Sequence, residues 1–307
     1  MVTDNLDGII VLGAPRSGTT LLRRILNAHP NIACPGETHI LNAAARFLHA
    51  DSLIEGAEMG VLDGLNFAGF SEESVIDRLR EFVLSFPRTH AKQQGKRLWA
   101  EKTALDTFYI DEIEKVFGEH AYFICVMRHG LDVACSNMEL ADKNGGYIDE
   151  LHEYIKLYKR PLVAFCHAWV DLTTNMLDFA DRHPDNALVY RYEDLVDEPL
   201  MTMKQIVEFV GEDWEPSILD AAMSSGENVG FGDWKTYSKG KIESSSINRW
   251  KDLSPAMISC VGAIVNPTLI KLGYDPVPVG DDRDSDEARR RYELGLLIQA
   301  SKKQESN

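Results

Sequence analysis

Cysteine pairing is missing from this sequence. Five cysteines occur (Cys34, Cys125, Cys135, Cys166 and Cys260), an odd number with no C-x-x-C spacing. Neither a disulfide framework nor a thiolate zinc site is signalled. Long apolar runs are missing too. No stretch approaches the roughly 18 apolar residues of a membrane span, and the acidic opening MVTDNLDG carries no basic-then-apolar leader. The chain is therefore expected to be soluble and cytoplasmic, with no membrane partner. Positive charge is scarce: 32 Lys and Arg stand against 48 Asp and Glu, a net charge of −16. This excludes a broad nucleic-acid surface but leaves room for one basic cleft. No internal repeat is visible. What is present is 307 residues, 44% of them apolar, enough for one large α/β domain.

The order of elements points to that class. GIIVLG (8–13) is a short apolar run ending in glycine, the pattern of a buried parallel strand. A glycine-rich loop and a helical stretch, TTLLRRILNAH, follow it. Residues from about 50 to 96 read as a helical cover, with Ser71 as an N-cap. RLWAEKT (97–103) and AYFICVM (121–127) read as strands, with a helix closed by Gly118 between them. A helix over 161–181 carries apolar residues at helical spacing. ALVYRYEDLV is a strand running into a turn, and Pro199 opens another helix. Strands alternating with helices predict a P-loop-like parallel β-sheet with helices on both faces. A single domain is expected over 1–277. An acidic linker and a C-terminal tail or helix (285–303) make up 278–307.

The loop Gly13-Ala-Pro-Arg-Ser-Gly-Thr-Thr20 nearly spells the phosphate loop G-x-x-x-x-G-K-[ST]. Thr19 stands where the lysine belongs. A glycine-rich turn feeding a helix N-terminus still forms an anion nest, and Ser17, Gly18, Thr19 and Thr20 can donate into it. The cation is Arg16, placed before the turn, where its guanidinium can fork onto a terminal anionic group. Without the lysine, and without a clear strand-borne aspartate for Mg²⁺, a kinase or nucleotide triphosphatase is the remoter reading. The loop suits a 5′-phosphosulfate, which needs no metal.

APRSGTTLLRRILNAHP resembles the 5′-phosphosulfate loop of the sulfotransferases that use 3′-phosphoadenosine 5′-phosphosulfate (PAPS), in the P-R-S-G-T-T branch. That branch holds tyrosylprotein sulfotransferases and bacterial small-molecule and polyketide-chain sulfotransferases. The resemblance runs in patches from residue 8 to about 255 and implies the sulfotransferase fold. It extends to VMRHGLDVACSNMEL, where Arg128 and Ser136 match the 3′-phosphate site. It extends to VYRYEDLVDEP, which implies Tyr192 near the adenine, and to KGKIESSSINRW, where Ser245 and Arg249 match a loop that closes over the cofactor. The implied enzyme is a PAPS-dependent O-sulfotransferase releasing PAP, with no metal.

Sulfuryl transfer to an alcohol needs a base for the hydroxyl proton and fixed positive charge beside the leaving oxygen. In NIACPGETHIL, Glu37 matches the branch's catalytic glutamate, and His39 is the competing base or an acceptor contact. In WAEKTALD, Lys102 matches a lysine near the bridging oxygen, and Arg16 would bracket the charge from the other side. Glu101 is expected on the opposite face of that strand. Trp99, Phe108 and Tyr109 are candidate acceptor walls. The expected acceptor is a hydroxyl on a small or carrier-bound molecule, with peptide tyrosine as the alternative.

Overall fold

The computed structural model describes residues 6–54, 56–224, 242 and 244–280. Two compact units are formed. The first takes residues up to Arg128 and Asp171–Ser245; the second takes His129–Val170 and the residues from Ser246.

The first unit is built on five parallel strands in the order β2-β5-β1-β6-β7. They are β1 (Gly8–Leu12), β2 (Ile32–Ala33), β5 (Leu98–Glu101), β6 (Tyr122–Met127) and β7 (Ala187–Arg191). Ile9 through Leu12 and Phe123 through Val126 are fully buried. Unbroken apolar runs, rather than alternating ones, are what a sheet covered on both faces requires. Ile10 pairs with Glu101 on one side and Phe123 on the other, and Met127 pairs with Arg191. Four neighbouring strands therefore end at one edge. The chain leaves them as Gly13, Lys102, Arg128 and Tyr192. From β1 the chain goes first to one side, to β2 at the edge and then β5 between β2 and β1, and later to the other side with β6 and β7, so this edge contains the switch point where open α/β sheets bind ligands.

Helices α1 (Thr19–Ala28) and α2 (Ile40–Phe47) follow β1 and β2. The expected helical cover is only partly helical. Residues 50–60 form an antiparallel ribbon, β3 (Ala50–Ile54) and β4 (Ala57–Gly60). Gly56, at φ 79°, lies between them in a conformation that favours glycine. Helix comes after the ribbon, as α3 (Val61–Phe67) and α4 (Glu72–Gln93), and Ser71 caps α4 by accepting the Ser74 N–H at 3.3 Å. A 3₁₀ turn (Ala104–Tyr109) leads into α5 (Ile110–Phe117). Trp99 is core rather than an acceptor wall: a Cβ on Gly8 would meet its ring at 1.8 Å, and its indole N–H donates to Asp7 Oδ1 at 3.0 Å.

In the second unit, α6 (Gly130–Asn144), α7 (His152–Tyr158) and the opening of α8 (Pro161–Arg182) come first. The chain returns to the first unit for the rest of α8, then α9 (Tyr192–Asp197), α10 (Pro199–Phe209) and α11 (Ser217–Ser224). It comes back to the second for α12 (Pro255–Lys271). Asp132 accepts the backbone N–H groups of Asn248 (2.8 Å) and Trp250 (3.0 Å). The Trp250 ring stacks on His129 with centroids 5.0 Å apart. Among the described residues, no helix is long and apolar enough to cross a membrane. The expected tail helix over 285–303 lies outside the described residues, as does most of KGKIE.

Candidate active site

The loop after β1 is held at both ends. Gly13 N–H donates to Thr107 Oγ1 (2.9 Å), and the Thr107 hydroxyl donates back to the Gly13 carbonyl (3.1 Å). Ser17 N–H closes the turn onto the Ala14 carbonyl at 3.0 Å. Gly18 caps α1 at φ 94°, and a Cβ there would lie 2.2 Å from the Tyr192 ring, so only glycine suits the position. The first amides of α1 have no carbonyl one turn back to bond, and the helix dipole adds partial positive charge to them. Ser17, Thr19 and Thr20 are buried here, and Ser17 Oγ has no hydrogen-bond partner among the described residues. A buried hydroxyl is costly to leave unmatched. Its position at a helix N-terminus is the position of an anion donor.

Two sequence-predicted residues brace this loop. Arg128, the first residue after β6, donates through Nη1 to the Arg16 carbonyl at 2.6 Å. Its guanidinium also lies 4.7 Å from the centroid of the Tyr192 ring. Arg16 is at φ 78°, a left-handed conformation that costs a non-glycine residue about 1–2 kcal/mol. The bond from Arg128 opposes that cost.

Three further predicted residues meet beside the loop. Lys102 Nζ lies 2.5 Å from Glu37 Oε1 and 3.4 Å from Thr20 Oγ1. The lysine is almost wholly buried, while the Glu37 side chain is 17% exposed. The pair is a close contact between opposite charges at the edge of the loop. His39 is not drawn into this cluster. It caps α2 at φ 60°, is exposed, and its Nδ1 pairs with the Asn42 side-chain amide at 3.3 Å.

Beside Lys102 stand two further buried carboxyls: Glu101, expected on the opposite face of the strand from Lys102, and Asp106, which no motif singled out. Glu101 Oε1 accepts the Thr38 N–H (3.3 Å) and the Thr103 hydroxyl (3.1 Å). Burial pushes the Glu101 carboxyl up to about 7, against the pull of the Thr38 and Thr103 hydrogen bonds and of Lys102. Asp106 is held well above the ordinary range, first by burial and then by the neighbouring Glu101. The run Lys102-Thr-Ala-Leu-Asp-Thr107 offered only a hint: polar groups directly after a buried strand. Its folding into a 3₁₀ turn against the loop is a tertiary outcome.

In the second unit, Ser136 is buried on α6. Arg249 pairs with Glu139, three residues further along the same helix, so the two predicted residues address one face of α6. Ser245, exposed on a 3₁₀ turn (Ser244–Ser246), belongs to the first unit.

A family model described as "Sulfotransferase family" matches residues 8–216, more than half of the chain. Protein-tyrosine sulfotransferase 1 of Danio rerio is 26% identical over 279 residues, covering 87% of this chain and 72% of the relative. Nodulation protein NoeE of Sinorhizobium fredii is 26% identical over 282 residues, 86% of this chain and 65% of the relative. Among solved structures, the sulfotransferase domain from the curacin biosynthetic pathway matches with a TM-score of 0.60 at 20% identity, covering 89% of this chain and 100% of that domain. The sulfotransferase domain of the Synechococcus PCC 7002 olefin synthase matches equally, at 0.60 and 22% identity, over 90% of this chain and 98% of that one. Mouse sulfotransferase SULT7A1, solved with PAP, reaches 0.50 at 14% identity over 95% and 89%. These structures share the fold.

Proposed function

This chain belongs to the sulfotransferase family, and from that membership and the geometry of its loop we propose that it transfers the sulfuryl group of PAPS to a hydroxyl of a small-molecule or carrier-bound acceptor. The observation that carries the proposal is Lys102, which touches both the Glu37 carboxylate and the Thr20 hydroxyl of the anion loop. A base, a cation and a phosphate cradle are thereby joined.

PAPS, when bound, supplies the sulfuryl group and departs as PAP. Ser17, Gly18, Thr19 and Thr20 would hold its 5′ end through hydroxyls and helix-terminal amides, with Arg16 at the anionic terminus. The buried Ser17 hydroxyl, without a hydrogen-bond partner among the described residues, supports that assignment. Arg128 and Ser136 are assigned to the 3′-phosphate, and Tyr192, Ser245 and Arg249 to the remainder of the nucleotide, on their motif positions. Glu37 takes the proton of the acceptor hydroxyl as that oxygen becomes nucleophilic. Lys102 orients the Glu37 carboxylate and provides positive charge where negative charge collects. No metal has a part in this scheme. Thr19, in place of the phosphate-loop lysine, speaks against a triphosphatase.

Peptide tyrosine is the second reading, favoured by relatives that are named protein-tyrosine sulfotransferases. The test is transfer from sulfur-labelled PAPS in EDTA to parallel panels: alcohols and phenols, carrier-bound hydroxyacyl chains, and tyrosine peptides. Label in the first two panels supports the proposal. Label confined to tyrosine peptides replaces it with the second reading. Tight PAP binding with no label anywhere overturns both in favour of a nucleotide-binding protein without turnover.

A further inference from the structure

We propose that Glu101 is the positioning residue for Glu37, anchoring the irregular segment that carries the base to the end of strand β5. The inference rests on the reading of Glu37 as base and adds a residue through which that base is held.

Residues 37–39 belong to no helix or strand, so their backbone amides need partners from elsewhere. Two consecutive amides find them on one neighbouring segment. Thr38 N–H donates to Glu101 Oε1 at 3.3 Å, and His39 N–H donates to Thr103 Oγ1 at 3.3 Å. The Thr103 hydroxyl then donates to the same Glu101 oxygen at 3.1 Å. Glu101 and Thr103 are both fully buried. Glu101 also occupies a fixed place in the sheet, because it is in register with Ile10 of β1.

Successive residues at a strand end turn to opposite sides, and here both sides are used on one target. Glu101 holds the backbone beside the base. Lys102, the next residue, holds the carboxylate of the base itself. The second oxygen of Glu101 is buried without a hydrogen-bond partner among the described residues. A buried carboxyl with one empty oxygen is costly, and stability alone would favour a smaller neutral group. Holding the base in place gives that cost a function, because a misplacement of about 1 Å can lower a rate by about 10²-fold.

Hydrogen exchange of residues 35–41 in the unliganded protein, measured beside turnover, tests the proposal. Glu101→Ala is expected to speed exchange of the Thr38 and His39 amides by about 10-fold or more while the β1 and β6 amides keep their protection. It should lower kcat by about 10²-fold with donor KM and PAP affinity within about threefold of wild type. Glu101→Gln, whose amide oxygen can accept the same two bonds, should restore the protection and most of kcat. If Glu101→Ala does not fold, Thr103→Val decides, with loss of His39 protection expected. Unchanged exchange of residues 38 and 39 in either variant overturns the proposal, as does faster exchange with wild-type kcat. Glu37→Gln separates the two layers: if it turns over normally, the base assignment fails, whereas an inactive Glu37→Gln beside a fully active Glu101→Ala defeats this proposal alone.

Discussion

Lys102 Nζ lies 2.5 Å from Glu37 Oε1 across 65 residues of sequence, and the same nitrogen reaches Thr20 at the start of α1. One lysine at the end of β5 thus reads out the position of the base and of the anion loop together.

Glu37→Gln removes the proton acceptor and keeps the shape. Turnover should fall by about 10²–10⁴-fold, while PAP affinity by calorimetry stays within about twofold. A comparable loss of PAP affinity would assign Glu37 to nucleotide binding instead.

Gly18→Ala places a methyl group 2.2 Å from Tyr192 at a residue whose φ is 94°. Backbone strain and overpacking should together cost about 2–4 kcal/mol, seen as a lower urea midpoint and weaker PAP binding. Adding Tyr192→Ala should recover the packing part only. The double variant is therefore expected to be less destabilised than the sum of the two singles.

Arg128→Ala removes the brace on the Arg16 carbonyl, so it should weaken every ligand of the loop by about 10-fold, the value of one charge-assisted hydrogen bond. If Arg128 also meets the 3′-phosphate, PAP should lose at least another 10-fold relative to adenosine 5′-phosphosulfate, which has none. Equal losses in parallel titrations would confine Arg128 to the loop.

The buried carboxyls make a pH prediction. Folding raises Glu101 from an ordinary 4.5 to about 7, so between those values the folded chain holds the proton more tightly than the unfolded chain. Its contribution is therefore fully present below about pH 4.5 and is lost as pH rises through 7, by about 3 kcal/mol. Asp106 acts in the same direction. Urea unfolding should show Glu101→Gln gaining on wild type between pH 5.5 and pH 8. A constant difference across that range would contradict the shift.

Much of this site was legible in the sequence because its parts are local. GIIVLG, a glycine turn and a helix start define an anion loop without tertiary information, whereas Arg128 and Tyr192 were singled out by their resemblance to family motifs, and each directly follows a strand of the sheet. Residues 50–60 were not legible. Their strands are short, and they are made by pairing with each other around Gly56. Trp99 looked like an acceptor wall because aromatic composition is silent about depth. The absence of a side chain at Gly8, 91 positions earlier, is what lets it sit in the core. The bracing of Gly13 by Thr107, and of the Asn248–Trp250 backbone by Asp132, joins residues 94 to 118 positions apart. No local pattern announces such pairs. The motifs named the chemistry, and the long-range hydrogen bonds that hold it in place emerged only with the fold.

The most direct test of the central claim is independent of the acceptor: calorimetric titration of the purified chain with PAP in EDTA, beside ATP with and without Mg²⁺. The account predicts metal-free PAP binding that is weakened by Gly18→Ala and Arg128→Ala and that is much tighter than binding of either form of ATP. Binding of Mg·ATP alone, with no heat from PAP, would contradict it.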